Sequence, residues 1–139
     1  METAGYSATS LAKKLGLKQG FIIKLVKPPD YYFELFSDMP EGIDIEQDGN
    51  PGKDFIHFFT KDALELGKGL KTLKPQLKQN GMLWVSWPKK SSHVYTNITE
   101  DLVRDKALKN GLVDIKVCAV DDTWSALKLV IPAKDRLRV

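Results

Sequence analysis

Short apolar runs of strand length alternate along this chain with polar segments whose apolar residues recur at helical spacing, the pattern of an α/β protein. Residues 10–15 read as a short helix opened by Ser10 and closed by Gly16. Residues 21–26 form a mostly apolar strand that Pro28 and Pro29 stop, and residues 30–36 read as another short helix. Residues 43–46 alternate apolar and acidic, as an edge strand with one wet face does. The run Asp48-Gly49-Asn50-Pro51-Gly52 is dense in turn formers and marks a surface loop.

Residues 55–59 are apolar on both faces apart from His57, which suits a central strand holding a hydrogen-bonded core histidine. Ala63, Leu66, Leu70, Leu73 and Leu77 fall on one helical stripe and predict a helix over 63–77. Gly67 and Gly69 each cost such a helix about 1 kcal/mol against alanine, so irregularity is expected there. Residues 82–87 form a buried strand ended by Pro88. Asn97, with Glu100 three residues on, reads as a helix start, and Gly111 follows the last turn. Strands over 114–120 and 126–131 flank a hairpin at 121–125, and the tail over 134–138 is expected to fray.

Right-handed crossovers place the first four strands in one parallel sheet with helices on both faces, and the hairpin adds the only antiparallel strand. The expected fold is therefore a three-layer αβα Rossmann-like domain, its mostly parallel sheet of about six strands closed by an antiparallel C-terminal hairpin.

Composition adjusts this picture only slightly. The 139 residues are 42% hydrophobic and 28% charged, which excludes a disordered tail, a fibrous rod and a disulfide scaffold. One domain is expected over 18–132, with an N-terminal arm carrying the short helix over 1–17 and a C-terminal tail over 133–139. The 21 basic and 18 acidic residues are interspersed, with pairs such as Lys13–Lys14 and Lys89–Lys90 as the longest basic runs. Only three residues are arginine, so the net +3 charge is a weak pull toward anions and disfavours nucleic acid as a partner. Cys118 is the one cysteine, so neither an internal disulfide nor a cysteine zinc site can form, and it reads as a small buried strand residue. No metal and no cofactor is called for. Residues 1–6 lack the pattern of a signal peptide and no apolar run is long enough to cross a membrane, which predicts a cytoplasmic setting.

The order of βα units ending in an antiparallel hairpin resembles the class I methyltransferase variant of the Rossmann fold. Three segments carry the likeness. They are Asp54-Phe55-Ile56 opening a strand, Leu73-Lys74-Pro75 leading through Asn80-Gly81 into Met82-Leu83-Trp84-Val85, and Asn110-Gly111-Leu112 before the closing strands. Such enzymes need a glycine-rich turn after the first strand so that backbone can approach the cofactor. Here that turn reads Lys27-Pro28-Pro29-Asp30-Tyr31-Tyr32, so S-adenosylmethionine in the usual mode is not expected. Asp44, Glu46 and Asp48 imitate a ribose-binding acid, yet a solvated edge is the preferred reading without that loop.

More specifically, the chain resembles a family of small bacterial proteins of unknown function with a truncated form of this fold. The motifs are Gly5-Tyr6-Ser7, Leu11-Ala12-Lys13-Lys14-Leu15-Gly16, Trp84-Val85-Ser86-Trp87-Pro88-Lys89-Lys90, Gly111-Leu112-Val113-Asp114, Lys116-Val117-Cys118 and Trp124-Ser125. The resemblance implies a fold and a bacterial cytoplasmic setting, and carries over no catalytic residue.

Ligands of open α/β sheets bind beyond the carboxyl ends of the strands. That edge is expected to collect residues 28–31, Thr60, Lys61, residues 87–93 and residues 121–125. Trp87 and Trp124 are candidate walls, with Lys89, Lys90, Ser91 and Ser92 before a helix N-terminus as candidate anion ligands. The first expectation is a non-catalytic module that binds a small anionic ligand or a protein partner at this edge. A second is a small transferase or hydrolase using His93 with Asp121 or Asp122. A third is an interaction protein that pairs, as a homodimer in one form, through an exposed sheet edge or the hairpin; monomer and homodimer are both left open.

Overall fold

A computed structural model describes residues 9–137, and the motif Gly5-Tyr6-Ser7 lies outside them. In chain order the elements are α1 (Leu11–Leu15), β1 (Ile22–Val26), β2 (Asp44–Ile45), β3 (Lys53–Phe59), α2 (Ala63–Leu73), β4 (Leu77–Pro88), α3 (Glu100–Lys109), β5 (Val113–Ala119) and β6 (Trp124–Val130). They build a six-stranded sheet of order β2-β1-β3-β4-β6-β5. The pairs β1–β2, β1–β3 and β3–β4 are parallel, and β6 runs antiparallel to both β4 and β5. The arrangement is a three-layer α/β fold of Rossmann type, with the hairpin supplying the antiparallel strand.

Alternation along the strands divides the core in two. Ile56, Phe58, Leu83, Val85, Trp87, Leu127 and Leu129 meet Leu66, Leu70 and Leu73 of α2 and Val103 and Ala107 of α3. Ile23, Leu25, Phe55, Phe59, Trp84, Trp124 and Ala126 meet Ala12 and Leu15 of α1 and Tyr32. Burying a leucine such as Leu66 or Leu70, both fully buried, stabilises by about 1.5–3 kcal/mol. The short helix α1 belongs to the second core. Ser10 caps it by accepting from the Lys13 amide, left-handed Gly16 ends it, and Trp84 Nε1 donates to Leu15 O at 2.9 Å.

Several local expectations are corrected. The helical stripe ends at Leu73, because Pro75 forces a 3₁₀ turn over Lys74–Gln76, and Leu77 opens β4 instead. Strand β4 therefore starts well before Met82. Its early bend requires Gly81, where a Cβ would sit 2.8 Å from Lys53 O. Thr99, not Asn97, caps α3, accepting from the Leu102 amide at 3.1 Å. Asn97 Oδ1 instead accepts from the Ala63 amide at 2.8 Å and braces the start of α2. The segment after β1 makes only a 3₁₀ turn, Tyr32–Leu35. Cys118 is half-buried, since β5 is an outer strand with no neighbour on its far side. The tail is tied down in part: a 3₁₀ turn covers Ala133–Asp135, and Leu137 N donates to Gln79 Oε1 at 2.9 Å. Among the described residues, no helix is long and apolar enough to cross a membrane.

Candidate functional site

Chain connections leave β1 and β3 in opposite directions, toward β2 on one side and β4 on the other. The carboxyl ends of these two adjacent strands are where an open α/β sheet forms a crevice. A cavity of about 410 Å³ lies there, lined by Lys27 and Pro29 after β1, Phe59, Thr60 and Lys61 at the end of β3, Asp62 and Glu65 at the start of α2, and Trp124.

Its polar groups are mostly committed to one another. Lys27 pairs with Glu65, and Thr60 Oγ1 donates to the other carboxylate oxygen of Glu65 at 2.6 Å. The Lys27 bond and then the Thr60 bond hold the Glu65 carboxyl below its ordinary range. Asp62 caps α2 by accepting from the Glu65 amide at 3.0 Å. Lys61 is exposed, and its carbonyl accepts from Thr96 Oγ1 at 2.7 Å while its ammonium has no ion pair among the described residues. The Lys27–Glu65 pair also forms the wall toward a larger groove of about 620 Å³, which runs over Val26 and Phe58 along the flank of α2.

Two adjacent tyrosines secure the turn after β1. Tyr31 Oη donates to Asp121 Oδ2 at 2.9 Å and accepts from Trp124 Nε1 at 3.2 Å. Burial, with help from the Asp121 carboxylate, raises the Tyr31 phenol above its usual range. Tyr32 turns the other way, into the core, where its hydroxyl lies 2.9 Å from His57 Nδ1. His57 Nε2 lies 2.7 Å from Ser86 Oγ, so a buried Tyr32–His57–Ser86 chain crosses from the turn through β3 to β4. Burial alone drives His57 down to about 3, so it is neutral, and raises Tyr32. Phe59 stacks on the histidine ring at 4.2 Å. The expected core role of His57 is the observed one.

The turn after β1 is built unlike a glycine-rich cofactor loop. Lys27 holds the left-handed backbone (φ 53°) that a glycine would take after β1, but it brings a side chain that is anchored across the crevice. Pro28 and Pro29 offer no amide to a ligand, and the tyrosines pin the rest of the turn.

The remaining sequence candidates are distributed around the same end of the sheet. Trp87 and Trp124 do not share a pocket. The register pairs Trp87 with Ser125 and Pro88 with Trp124, so the two indoles enter opposite cores. Lys89 is joined to the hairpin, its amide donating to Thr123 O at 2.7 Å. Lys90, Ser91 and Ser92 form a 3₁₀ turn of their own, closed by left-handed His93, and α3 begins only at Glu100. Lys90 does line a cavity of about 500 Å³ with Trp87, Thr99, Glu100 and Asp101, but those two acids already answer the helix dipole. Ser92 Oγ donates to Lys89 O at 2.6 Å. His93, Ser91 and Asp122 are exposed. Asp121 accepts from the Thr123 and Trp124 amides at 2.8 and 2.7 Å, and no hydrogen bond or ion pair joins His93 to Asp121 or Asp122 among the described residues. Sequence reasoning missed the Tyr31–Asp121 tie and the Tyr32–His57–Ser86 chain, both of which join residues from distant segments.

No protein-family profile and no curated protein matches this chain. Solved structures do. A SAM-dependent methyltransferase from Aquifex aeolicus superposes with a TM-score of 0.60 at 17% identity, over 87% of this chain and 87% of that one. A provisionally named type 11 methyltransferase from Sulfolobus solfataricus gives 0.65 at 12% identity, over 92% and 93% of the two chains. The 1,6-didemethyltoxoflavin-N1-methyltransferase of Burkholderia thailandensis gives 0.56 at 12% identity, over 86% and 73%. The fold is thus methyltransferase-like. The match spans 87% and 93% of the first two chains, so shortness does not set this protein apart from them.

Proposed function

We propose that this protein is a binding module on a methyltransferase-like fold, without methyl-transfer activity, whose crevice between β1 and β3 takes a small anionic ligand. The observation that carries the reading is the turn over Lys27–Tyr32. It occupies the position of a cofactor loop yet is bound at Glu65, Asp121 and His57. A cavity of about 410 Å³ remains beside it, of ordinary size for a small-molecule site. Within it, Asp62 and Glu65 are engaged by a helix cap, Lys27 and Thr60, which leaves the Lys61 ammonium as the uncommitted charge and Trp124 as an apolar wall.

The test is a thermal-shift and calorimetric screen of small carboxylates and phosphate monoesters against S-adenosylmethionine and S-adenosylhomocysteine. Stabilisation by an anion, lost in Lys61→Gln, is the expected result. Saturable binding of S-adenosylmethionine would overturn the proposal.

A further inference from the structure

On the α1 side of the hairpin, the register sets Lys116 of β5 directly opposite Lys128 of β6. Like charges directly opposite one another destabilise a strand pair, so this juxtaposition works against the fold. Lys128 is half-buried, beside Trp84 in the ladder, and its ammonium is lowered by burial and then by Lys116 and Lys18. From α1, Lys14 closes over the same face. With Lys116, Val117, Cys118 and Ala119 it encloses a cleft of about 220 Å³. Burial raises the Cys118 thiol, and the charges that pull it back are Lys14, Lys116 and Lys89.

None of Lys14, Lys18, Lys89, Lys116 and Lys128 has an ion pair among the described residues, whereas Lys27, Lys53, Lys78 and Lys109 each have one. The like charges are therefore gathered without a protein counter-ion. Lys14 thus contributes to a basic face that only the fold assembles.

We infer that this face is a second binding site, and that a compact polyphosphate seats in the cleft between Lys14 and Lys116, flanked by Lys18 and Lys128. Lysine meets such a ligand as a point charge, which suits dense, non-planar anions. No arginine lines the cleft to grip a planar carboxylate in a bidentate fork. No aromatic side chain lines it either, so it offers no platform for stacking nucleobases. At 220 Å³ it is smaller than the roughly 300–1,000 Å³ of sites for drug-sized ligands. The cleft shares no lining residue with the crevice between β1 and β3, and the inference does not rest on that site's assignment.

Calorimetric titration of the full chain with inorganic triphosphate, at low and at raised salt, tests it. In a Lys61→Gln background, which removes the free charge of the crevice, saturable binding is expected, weakening with salt and reduced about tenfold or more when Lys14→Gln and Lys116→Gln are added. Even without ligand, Lys116→Gln should melt higher than the parent, because the cross-strand repulsion is gone. Lys128→Gln provides a second reading should the combined variant fold poorly. Absence of saturable binding in that background, or equal binding once Lys14 and Lys116 are replaced, overturns the inference. So does binding of an RNA hexamer that triphosphate does not displace.

Discussion

The hydroxyl of Tyr31 donates to the carboxylate of Asp121 at 2.9 Å, joining the turn after the first strand to the hairpin that closes the sheet. The bond bridges 90 residues of sequence and holds the crevice end of the molecule together. Tyr31→Phe removes it while Asp121 keeps its two backbone amides. The expected cost is about 0.5–1.5 kcal/mol, a few degrees in Tm. Amide exchange should accelerate over residues 30–35 and in the hairpin while the α2 and α3 amides stay protected. Uniform acceleration across all helices would contradict this local role.

Gly67 and Gly69 stand two residues apart in α2 and should respond in opposite senses to alanine. A Cβ at Gly67 would meet only Lys106 at 3.9 Å, so Gly67→Ala gains helix propensity, about 1 kcal/mol. A Cβ at Gly69 would fall 2.3 Å from the Phe58 ring, and overpacking of about 1–3 kcal/mol outweighs that gain. Denaturant midpoints of the two variants should lie on either side of the parent's. Two upward shifts would show that Phe58 is free to move aside, and a downward shift in Gly67→Ala would contradict the gain in propensity.

His57 makes stability depend on pH in a defined window. Its folded value of about 3 lies below the unfolded value of about 6.5, so between them the unfolded chain holds a proton that the folded one lacks. Stability from the neutral imidazole is complete above about pH 6.5 and declines as pH falls, by up to about 1.4 kcal/mol per unit. Asp48 and Glu65, held low by Lys53 and Lys27, add their own losses only below the ordinary carboxylate range. Glu46, raised by its hydrogen bond to Asp44, acts in the opposite sense near the carboxylate range, so the histidine's share between about pH 6.5 and pH 4.5 is read by difference from His57→Gln in urea titrations. In His57→Gln this slope should flatten, at the cost of lower stability near neutrality. An undiminished slope would place the titrating group elsewhere.

Lys53 is fully buried, and its ammonium is held by Asp48 Oδ1 at 2.5 Å and Asn50 O at 2.7 Å, which folds the loop over 48–52 back onto β3. Removing one partner of such a pair leaves the other uncompensated, whereas an apolar side chain of similar volume does not. Asp48→Ala should consequently unfold at a lower urea concentration than Lys53→Met. The reverse order would mean that the Asn50 carbonyl, not the carboxylate, satisfies the lysine.

The sheet was largely legible in the sequence because its strands are short, apolar and bounded by Pro, Gly or Asp, and because the spacing from Ala63 to Leu73 is helical. The stripe misled at Leu77, where Pro75 breaks the helix while hydrophobic periodicity carries on into a strand. The site was legible as an edge and not as a set of neighbours. Whether Trp87 and Trp124 meet depends on the register of β6 against β4, which one residue would invert, and composition does not reveal it. Lys116 and Lys128 come together by the separate register of β5 on β6, which shifts at the irregularity between Asp114 and Lys116. The roles of Tyr31 and Tyr32 were hidden because adjacent residues in a turn point to different targets, one to the hairpin and one into the core.

That one-residue offset has a practical side. Trp87 lies in the layer beneath α2 and α3, while Trp84 and Trp124 lie in the layer beneath α1. Each half of the interior thus carries its own intrinsic fluorophore, and single-tryptophan variants would report the melting of the two layers separately. Coincident transitions would establish that the halves unfold as one cooperative unit.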